Sequence, residues 1–414
     1  MTTSQGDIRA YDAQGYDSGN SDWLEELAVQ DLSWVVSTSA RYASILKKIP
    51  GIFAWQDSRD HLANLQVLAR SVALRRLRSC LDYIGRYDPA LCKSMRSCFE
   101  ELPTEGKIRF ITAPETFCRI SKLRHEPVDS IVFLCNALNG EAALHGLGPI
   151  KKDYTTALGD YYAHSMAADG NADDENVPLT AVRAPRLADS VPIDFASSNV
   201  ANAYEGQENL EYLPYSVEEM EVVCEKLNKV YDQIGRVSEA AAYMIKQHVK
   251  VVIPLKTKEL GYGSTSQPHF PGRVLMRGVH AAPFEGIATH LVHEAMHQVL
   301  YMLEWAGPFL VEAADVRAVR VKSGWTARDL PLHSYIHACF IWYGLSNFWM
   351  LASSSGIFEA AAIQKNLDKA MAGFRDGNPV DLLAPYPGML RYDVLKVAGT
   401  LWDRLQGKSD QIVA

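Results

Sequence analysis

The sequence predicts a mainly helical α+β protein in which a small β-sheet precedes a helix with a metal-binding motif. Apolar residues recur at spacings of three and four over most of the chain, which is the helical period. Two short runs, VKVVIPL and GRVLMRG, are instead apolar and rich in β-branched residues, as strands are. The motif HEAMH follows the second run. Together these features indicate helices around a small sheet.

The first part of the chain, from Asp22 to about His164, is mostly helical in pattern. An example is the segment SRDHLANLQVLARSVALRRLRSCLDYIGRYD. The stretch AADGNADDENVPLTAVRAPRLADSVP is small, acidic and proline-containing, which is typical of a loop or exposed linker. We therefore expect a mostly helical N-terminal region over residues 1–168 and a second domain, with the HEAMH motif, over residues 190–414.

The second domain begins with a capping-box spacing, Ser216 followed by Glu219, which opens a long amphipathic helix extending to Val249. The two β-branched runs come next, separated by the loop-like GYGSTSQPHFP. After the HEAMH helix, three more helices are expected, in LPLHSYIHACFIWYGLSNFWMLAS, GIFEAAAIQKNLDKAMAGFRDG and MLRYDVLKVAGTLWDRLQ. A helix, a sheet and then a metal-binding helix is the order of a zincin-like core.

Composition excludes several classes of protein. The 414 residues carry a formal net charge of −8, so the chain lacks the basic footprint of a nucleic-acid-binding protein. The N-terminus has no apolar signal core and no apolar run is long enough to cross a membrane, so we expect a cytoplasmic protein. The 7 cysteines are scattered without a C-x-x-C pair and are expected to be reduced thiols.

The HEAMH motif has a spacing that suits metal binding. His293 and His297 are four residues apart, so on a helix both imidazoles lie on one face and can bind one ion. Glu294 lies beside them, where it could act as a general base on a metal-bound water. Pro283 and Gly307 are suitable residues for the start and the stop of this helix.

A catalytic metal needs a third protein ligand. The histidine-rich zincin pattern requires glycine and histidine where this chain has Leu300 and Leu303, so that pattern fails. Glu312 is the nearest candidate in sequence. His333 and His337 are again four apart and could approach the first pair from a second helix. Residue spacing leaves these three candidates open.

Three blocks in fixed order resemble a known family. The blocks GSTSQPHFPGRVLMR, LVHEAMHQVL and LHSYIHACFIWYGLSNFW are similar to the HExxH-motif domain family of peptide-modification proteins, over roughly residues 190–352. The resemblance implies an Fe(II)- and 2-oxoglutarate-dependent hydroxylase of a ribosomally synthesised peptide, with or without a leader segment. His293, His297 and a downstream histidine would hold the iron, and His337 matches that histidine whereas His333 does not.

If the protein is such a hydroxylase, the distal carboxylate of 2-oxoglutarate needs a cationic or hydroxyl partner. Arg328, nine residues before His337, is the first candidate and Arg277, at the end of the second strand, is the next. Ser264 or Ser266 could assist. Glu294 would then orient a ligand or water instead of acting as a base.

The alternative is a zinc metallopeptidase. The same histidines would hold Zn²⁺, Glu294 would activate water, and GRVLMRG would be an edge strand that aligns a peptide through its main chain. A third reading is a non-catalytic scaffold that keeps a metal for stability. The sequence leaves the metal, the modified residue and the oligomeric state open, because imidazoles bind both iron and zinc.

Overall fold

The computed structural model describes residues 32–56, 59–165, 179–203, 213–257, 261–311, 316–375 and 377–412. This part of the chain is mainly helical, as predicted. Its α-helices are α1 (Leu32–Leu46), α2 (Ile49–Ile52), α3 (Arg59–Tyr87), α4 (Pro89–Glu101), α5 (Thr104–Thr112), α6 (Pro114–Lys122), α7 (Pro127–Leu144), α8 (Ser198–Ala203), α9 (Val217–Val237), α10 (Glu239–His248), α11 (Phe284–Glu304), α12 (Leu332–Ser353), α13 (Ala360–Met371) and α14 (Tyr392–Ile412). None of these helices is both long and apolar enough to cross a bilayer.

The described strands are β1 (Tyr161–Ser165), β2 (Leu179–Arg183), β3 (Arg186–Leu187), β4 (Val191–Pro192), β5 (Val251–Leu255), β6 (Gly263–Thr265), β7 (Arg273–Arg277), β8 (Arg320–Lys322) and β9 (Asp329–Pro331). The largest sheet has the order β5-β7-β6, with β5 parallel and β6 antiparallel to β7. The other three sheets are two-stranded pairs. The fold class is therefore mainly α with small β-sheets.

The three-stranded sheet confirms the two predicted strands and corrects their arrangement. GRVLMRG forms the central strand β7, so the expectation that it is an edge strand is wrong. The edge beside it is β6, formed by Gly263 to Thr265 in the segment that the sequence suggested was only a loop. Glycine and serine are poor strand formers, so local propensity did not indicate β6.

The capping box at Ser216 is confirmed, but the helix that it opens is shorter than predicted. The Ser216 hydroxyl accepts a hydrogen bond from the Glu219 backbone, and the Glu219 carboxylate accepts one from the Ser216 backbone. At Ser238 the backbone is extended, and its hydroxyl caps the next helix by accepting from the Ala241 N–H. Hence α9 and α10 replace one continuous helix.

Hydrophobic packing forms two large cores that share one helix. One core joins residues 42–69 to residues between 187 and 405, and a second core contains residues between 73 and 158. Helix α3 runs through both cores, with Leu65 in the first and Leu77 in the second. Residues 167–178 of the predicted linker lie outside the described residues, and β2, β3 and β4 follow them.

Two contacts fix α11, which carries HEAMH, against its neighbours, and an ion pair joins β7 to α6. A Cβ added at Gly344 of α12 would collide with the Met296 sulfur of α11, so glycine allows the two helices to approach closely. The side-chain carbonyl of the buried Gln298 accepts a hydrogen bond of 2.5 Å from the backbone N–H of Gly272, just before β7. Arg273 of β7 forms a buried ion pair with Glu115 of α6, with a nitrogen–oxygen distance of 2.7 Å.

Candidate metal centre

The two motif histidines lie on one face of α11, as predicted. The Nε2 atoms of His293 and His297 are 3.2 Å apart. Two nitrogens on one ion are separated by about 3.0–3.4 Å when each metal–nitrogen bond is about 2.0–2.1 Å. Burial lowers the pKa of His293 to about 4 and that of His297 well below its usual value. Both imidazoles are therefore neutral near pH 7, as metal ligation requires.

His337 of α12 lies on the other side of His297. Its Nδ1 is 3.2 Å from Nδ1 of His297, and its side chain is buried. The predicted approach of the second helix to the motif helix is thus observed. However, His297 faces His293 with Nε2 and His337 with Nδ1. Because these ring nitrogens point in different directions, one ion bound by all three imidazoles requires an imidazole to turn.

A second set of potential ligands adjoins this one. The ligand atoms of Glu304, His333 and His337 lie within 4.8 Å of one another and could hold a metal ion. An oxygen of Glu304 is 2.9 Å from Nε2 of His333 and 3.0 Å from Nε2 of His337. Burial alone would raise the pKa of Glu304, but the imidazoles of His337 and His333 lower it to about 2. The Glu304 carboxylate is therefore ionised at neutral pH.

Sequence reasoning missed Glu304, although a signal was present. Glu304 follows His297 by seven residues, which places it two helical turns further along the same face of α11. The third-ligand candidates from the sequence all lie beyond Gly307. The other acidic candidate, Glu312, lies outside the described residues. His333, which does not match the family block, contacts Glu304. Its ring is tilted against that of His337, with ring centroids 4.3 Å apart.

Glu294 has a different environment from the histidines beside it. Its carboxylate is buried, with Ser264 Oγ 2.7 Å from one oxygen and Ser266 Oγ 2.5 Å from the other. Burial raises the pKa of Glu294, while the two serine hydroxyls partly oppose that shift. Ser264 also lies 2.8 Å from Nδ1 of His290. Both serines that were predicted to assist cosubstrate binding thus contact Glu294.

The two predicted arginines have no hydrogen bond or ion pair with the described metal-ligand candidates. Arg328 is exposed, in the turn between β8 and β9. Arg277 pairs with Gly263 across β7 and β6, whereas Ser264 pairs with Met276. Neighbouring residues of a strand point to opposite faces, so Arg277 lies on the sheet face opposite Ser264. The Arg277 guanidinium accordingly lies over Gly263, 3.9 Å from where a Cβ would be.

A lysine that the sequence did not suggest lies nearer to the motif. Lys369 Nζ, on α13, is 5.5 Å from the ring centroid of Trp342. Trp342 in turn meets His293 edge-on, with ring centroids 6.1 Å apart. After burial, the Lys369 charge is the next cause of the lowered pKa of His293. Lys369 is thus a cation on the far side of a Trp342 ring that also meets His293.

No protein-family model matches the chain, and no curated protein matches it. The chemistry of the centre therefore has to be inferred from its own geometry.

Proposed function

We propose that the chain is a metal-dependent oxygenase that uses Fe(II) and 2-oxoglutarate to hydroxylate a side chain of a ribosomally synthesised peptide. The observation that carries this proposal is the environment of Glu294, whose two oxygens each face a serine hydroxyl in a buried pocket. A glutamate held in this way is suited to positioning the motif helix. The resemblance of three sequence blocks to peptide-modification proteins supplies the reaction class.

The proposed metal ligands are His293, His297 and His337. The first two have neutral imidazoles with facing Nε2 atoms, at a distance that fits one ion. His337 has Nε2 against the Glu304 carboxylate, which leaves Nδ1 toward His297. Metal-ligating histidines commonly donate their other nitrogen to a carboxylate, which fixes the tautomer and makes the ligand more basic. Once an imidazole turns so that His337 and the motif pair face one ion, His337 would be the third ligand and Glu304 its positioning residue.

With dioxygen as the oxidant, iron(II) would supply redox chemistry that couples oxidation of 2-oxoglutarate to succinate and CO₂ with hydroxylation of the peptide, one oxygen atom going to each. Zinc cannot do this because it has no accessible redox step. Three neutral imidazoles leave the positive charge of the ion uncompensated, so an anionic cosubstrate is a favourable additional ligand. A cation also lies near the motif pair, since Lys369 acts on His293. The residues present therefore fit an iron ion with a dicarboxylate cosubstrate.

Peptide binding would use the small sheet. In a zincin-like core, the motif helix lies against a sheet whose edge strand can add a peptide strand. Here β6 is an edge of the three-stranded sheet, and its Ser264 contacts Glu294 of α11. Within the described residues, the outer side of β6 pairs with no other strand. An extended peptide on this edge would lie beside the motif histidines and be held by main-chain hydrogen bonds.

The zinc metallopeptidase is the less favoured alternative. A peptidase requires Glu294 to be ionised and directed at a metal-bound water, so that it can accept a proton. Burial instead raises the pKa of Glu294, and both of its oxygens face serines. The alternative assigned peptide alignment to GRVLMRG as an edge strand, but β7 is central, so a peptidase would have to use the same β6 edge as the oxygenase.

The substitution Glu294→Gln separates the two activities. Wild type and variant are loaded with Fe(II) without oxygen, then exposed to air with 2-oxoglutarate, and succinate is measured. In parallel, Zn²⁺-loaded forms are incubated with fluorescently labelled casein. We expect succinate from the wild type, a reduced but measurable yield from the variant, and casein hydrolysis by neither. Casein hydrolysis that disappears in the variant would instead establish the peptidase.

A further inference from the structure

The last turns of α13 approach α11 one turn before the motif pair. Asn366 lies 3.4 Å from the Thr289 hydroxyl of α11, one turn before His293. The indole N–H of Trp325 donates to the Ala370 carbonyl with a distance of 2.9 Å, and its ring stacks on Trp342. These contacts hold the Lys369 turn against Trp342. The position of Lys369 is thus fixed by three packed elements, although its side chain is exposed.

The charge of Lys369 is not used by a neighbouring carboxylate. The acidic residue before it, Asp368, pairs with Arg375 at 2.7 Å. In the described part of the chain, Lys369 has no ion pair. Its ammonium lies near the face of Trp342, a contact that leaves hydrogen-bond donors available for an anion. A free cation beside a metal-binding motif is suited to a ligand with a second negative group.

We propose that Lys369 binds the distal carboxylate of a dicarboxylate 2-oxo acid whose other end lies at the metal, and that the ligand passes beside Trp342, which neighbours both Lys369 and His293. This inference rests on the proposed oxygenase function and names the residue that selects its cosubstrate. It replaces Arg328 and Arg277 in that role. Arg277 lies on the opposite sheet face from Ser264, and nothing places the exposed Arg328 against a motif histidine.

The test is direct binding of two 2-oxo acids to the Fe(II)-loaded protein without oxygen, measured by isothermal titration calorimetry. 2-Oxoglutarate carries the distal carboxylate, and 2-oxobutyrate has the same metal-binding end but lacks that carboxylate. The variants are Lys369→Ala, Lys369→Arg and the matched control Lys365→Ala, an exposed lysine one turn earlier on α13. Arg328→Ala is measured as the competing candidate. Quenching of tryptophan fluorescence provides a second readout, because Trp342 lies beside Lys369.

We expect Lys369→Ala to weaken 2-oxoglutarate binding by on the order of tenfold or more, as for loss of a charge-assisted hydrogen bond. Binding of 2-oxobutyrate should stay unchanged, which a merely structural defect would not allow. Lys369→Arg should restore most of the affinity, and Lys365→Ala should match the wild type.

Two results would overturn the assignment, and they have different meanings. If the wild type binds 2-oxoglutarate and the selective loss appears in Arg328→Ala or in no variant, Lys369 is not the partner and the oxygenase proposal stands. If the metal-loaded wild type binds neither 2-oxo acid, the proposed function and this inference fail together.

Discussion

Two glutamates on one helix, Glu294 and Glu304, have different hydrogen-bond partners and opposite pKa shifts. Both belong to α11 and both are largely shielded from solvent. Glu294 faces two serine hydroxyls, and burial raises its pKa. Glu304 faces two imidazoles, and these lower its pKa to about 2 despite burial. The residue type is the same, but the surroundings raise the pKa of Glu294 and lower that of Glu304.

The difference indicates which neighbour each carboxyl group serves. A carboxylate that stays ionised against His333 and His337 orients imidazoles, because it accepts their N–H groups and fixes their tautomers. A carboxyl group between Ser264 and Ser266 connects α11 to the β6 region. We therefore assign imidazole positioning to Glu304 and helix positioning to Glu294, although Glu294 belongs to the recognisable motif.

The largest effect is expected when the Glu304 anion is removed. Glu304→Ala leaves two imidazoles without their carboxylate in a largely buried site, so the free energy of unfolding of the metal-free protein should fall by about 2–4 kcal/mol. Glu304→Gln should lower metal affinity by about 10- to 100-fold, as is typical of residues that orient a ligand. Urea unfolding and competition with a chelator measure these effects, and the exposed Glu221→Gln on α9 is the control. Unchanged stability and affinity in both Glu304 variants would remove the distinction between the two glutamates.

The pH dependence of stability should have opposite signs for the two glutamates in the metal-free protein. The folded pKa of Glu304 is about 2, below its usual 4.5, so its contribution is present above 4.5 and is lost as pH falls toward 2. The folded pKa of Glu294 is raised, so its contribution is present below 4.5 and is lost as pH rises through the folded value. Relative to Glu304→Gln, the wild type should gain stability as pH rises from the acid range. Relative to Glu294→Gln, the wild type should lose stability as pH rises.

Urea unfolding at a series of pH values, with the chelator present throughout, measures both differences. Slopes of the same sign for the two variants would show that the carboxyl groups share one protonation behaviour.

The smallest effect is expected at the serines. Ser266→Ala removes one hydrogen-bond donor from Glu294 and should lower the free energy of unfolding by about 1 kcal/mol. Metal content should not change, because Ser266 contacts the helix-positioning glutamate and not an imidazole. The exposed Ser353→Ala at the end of α12 is the control. Loss of metal in Ser266→Ala would mean that the Glu294 pocket contributes to metal binding in addition to positioning α11.

Local sequence patterns predicted several elements that do not depend on distant contacts. The motif helix, the capping box at Ser216 and the strands β5 and β7 are examples. Strand β6 could not be predicted, since its residues form a strand only through pairing with β7. Lys369 was missed for a similar reason, because its proximity to Trp342 depends on how α13 folds back over α12. Spacing indicates which residues share a helix face, whereas tertiary packing decides what that face meets.

The most direct test of the proposed centre is the metal content of five proteins reconstituted with Fe(II) without oxygen and analysed by mass spectrometry for bound metal. They are the wild type, His293→Ala, His297→Ala, His333→Ala and Glu304→Gln; His337 is omitted because it belongs to both ligand sets. If the motif pair holds the ion, the two motif variants should lose it, His333→Ala should retain it, and Glu304→Gln should retain it at saturating metal. Retention of the ion by His293→Ala, with its loss from His333→Ala, would contradict this and assign the ion to Glu304, His333 and His337.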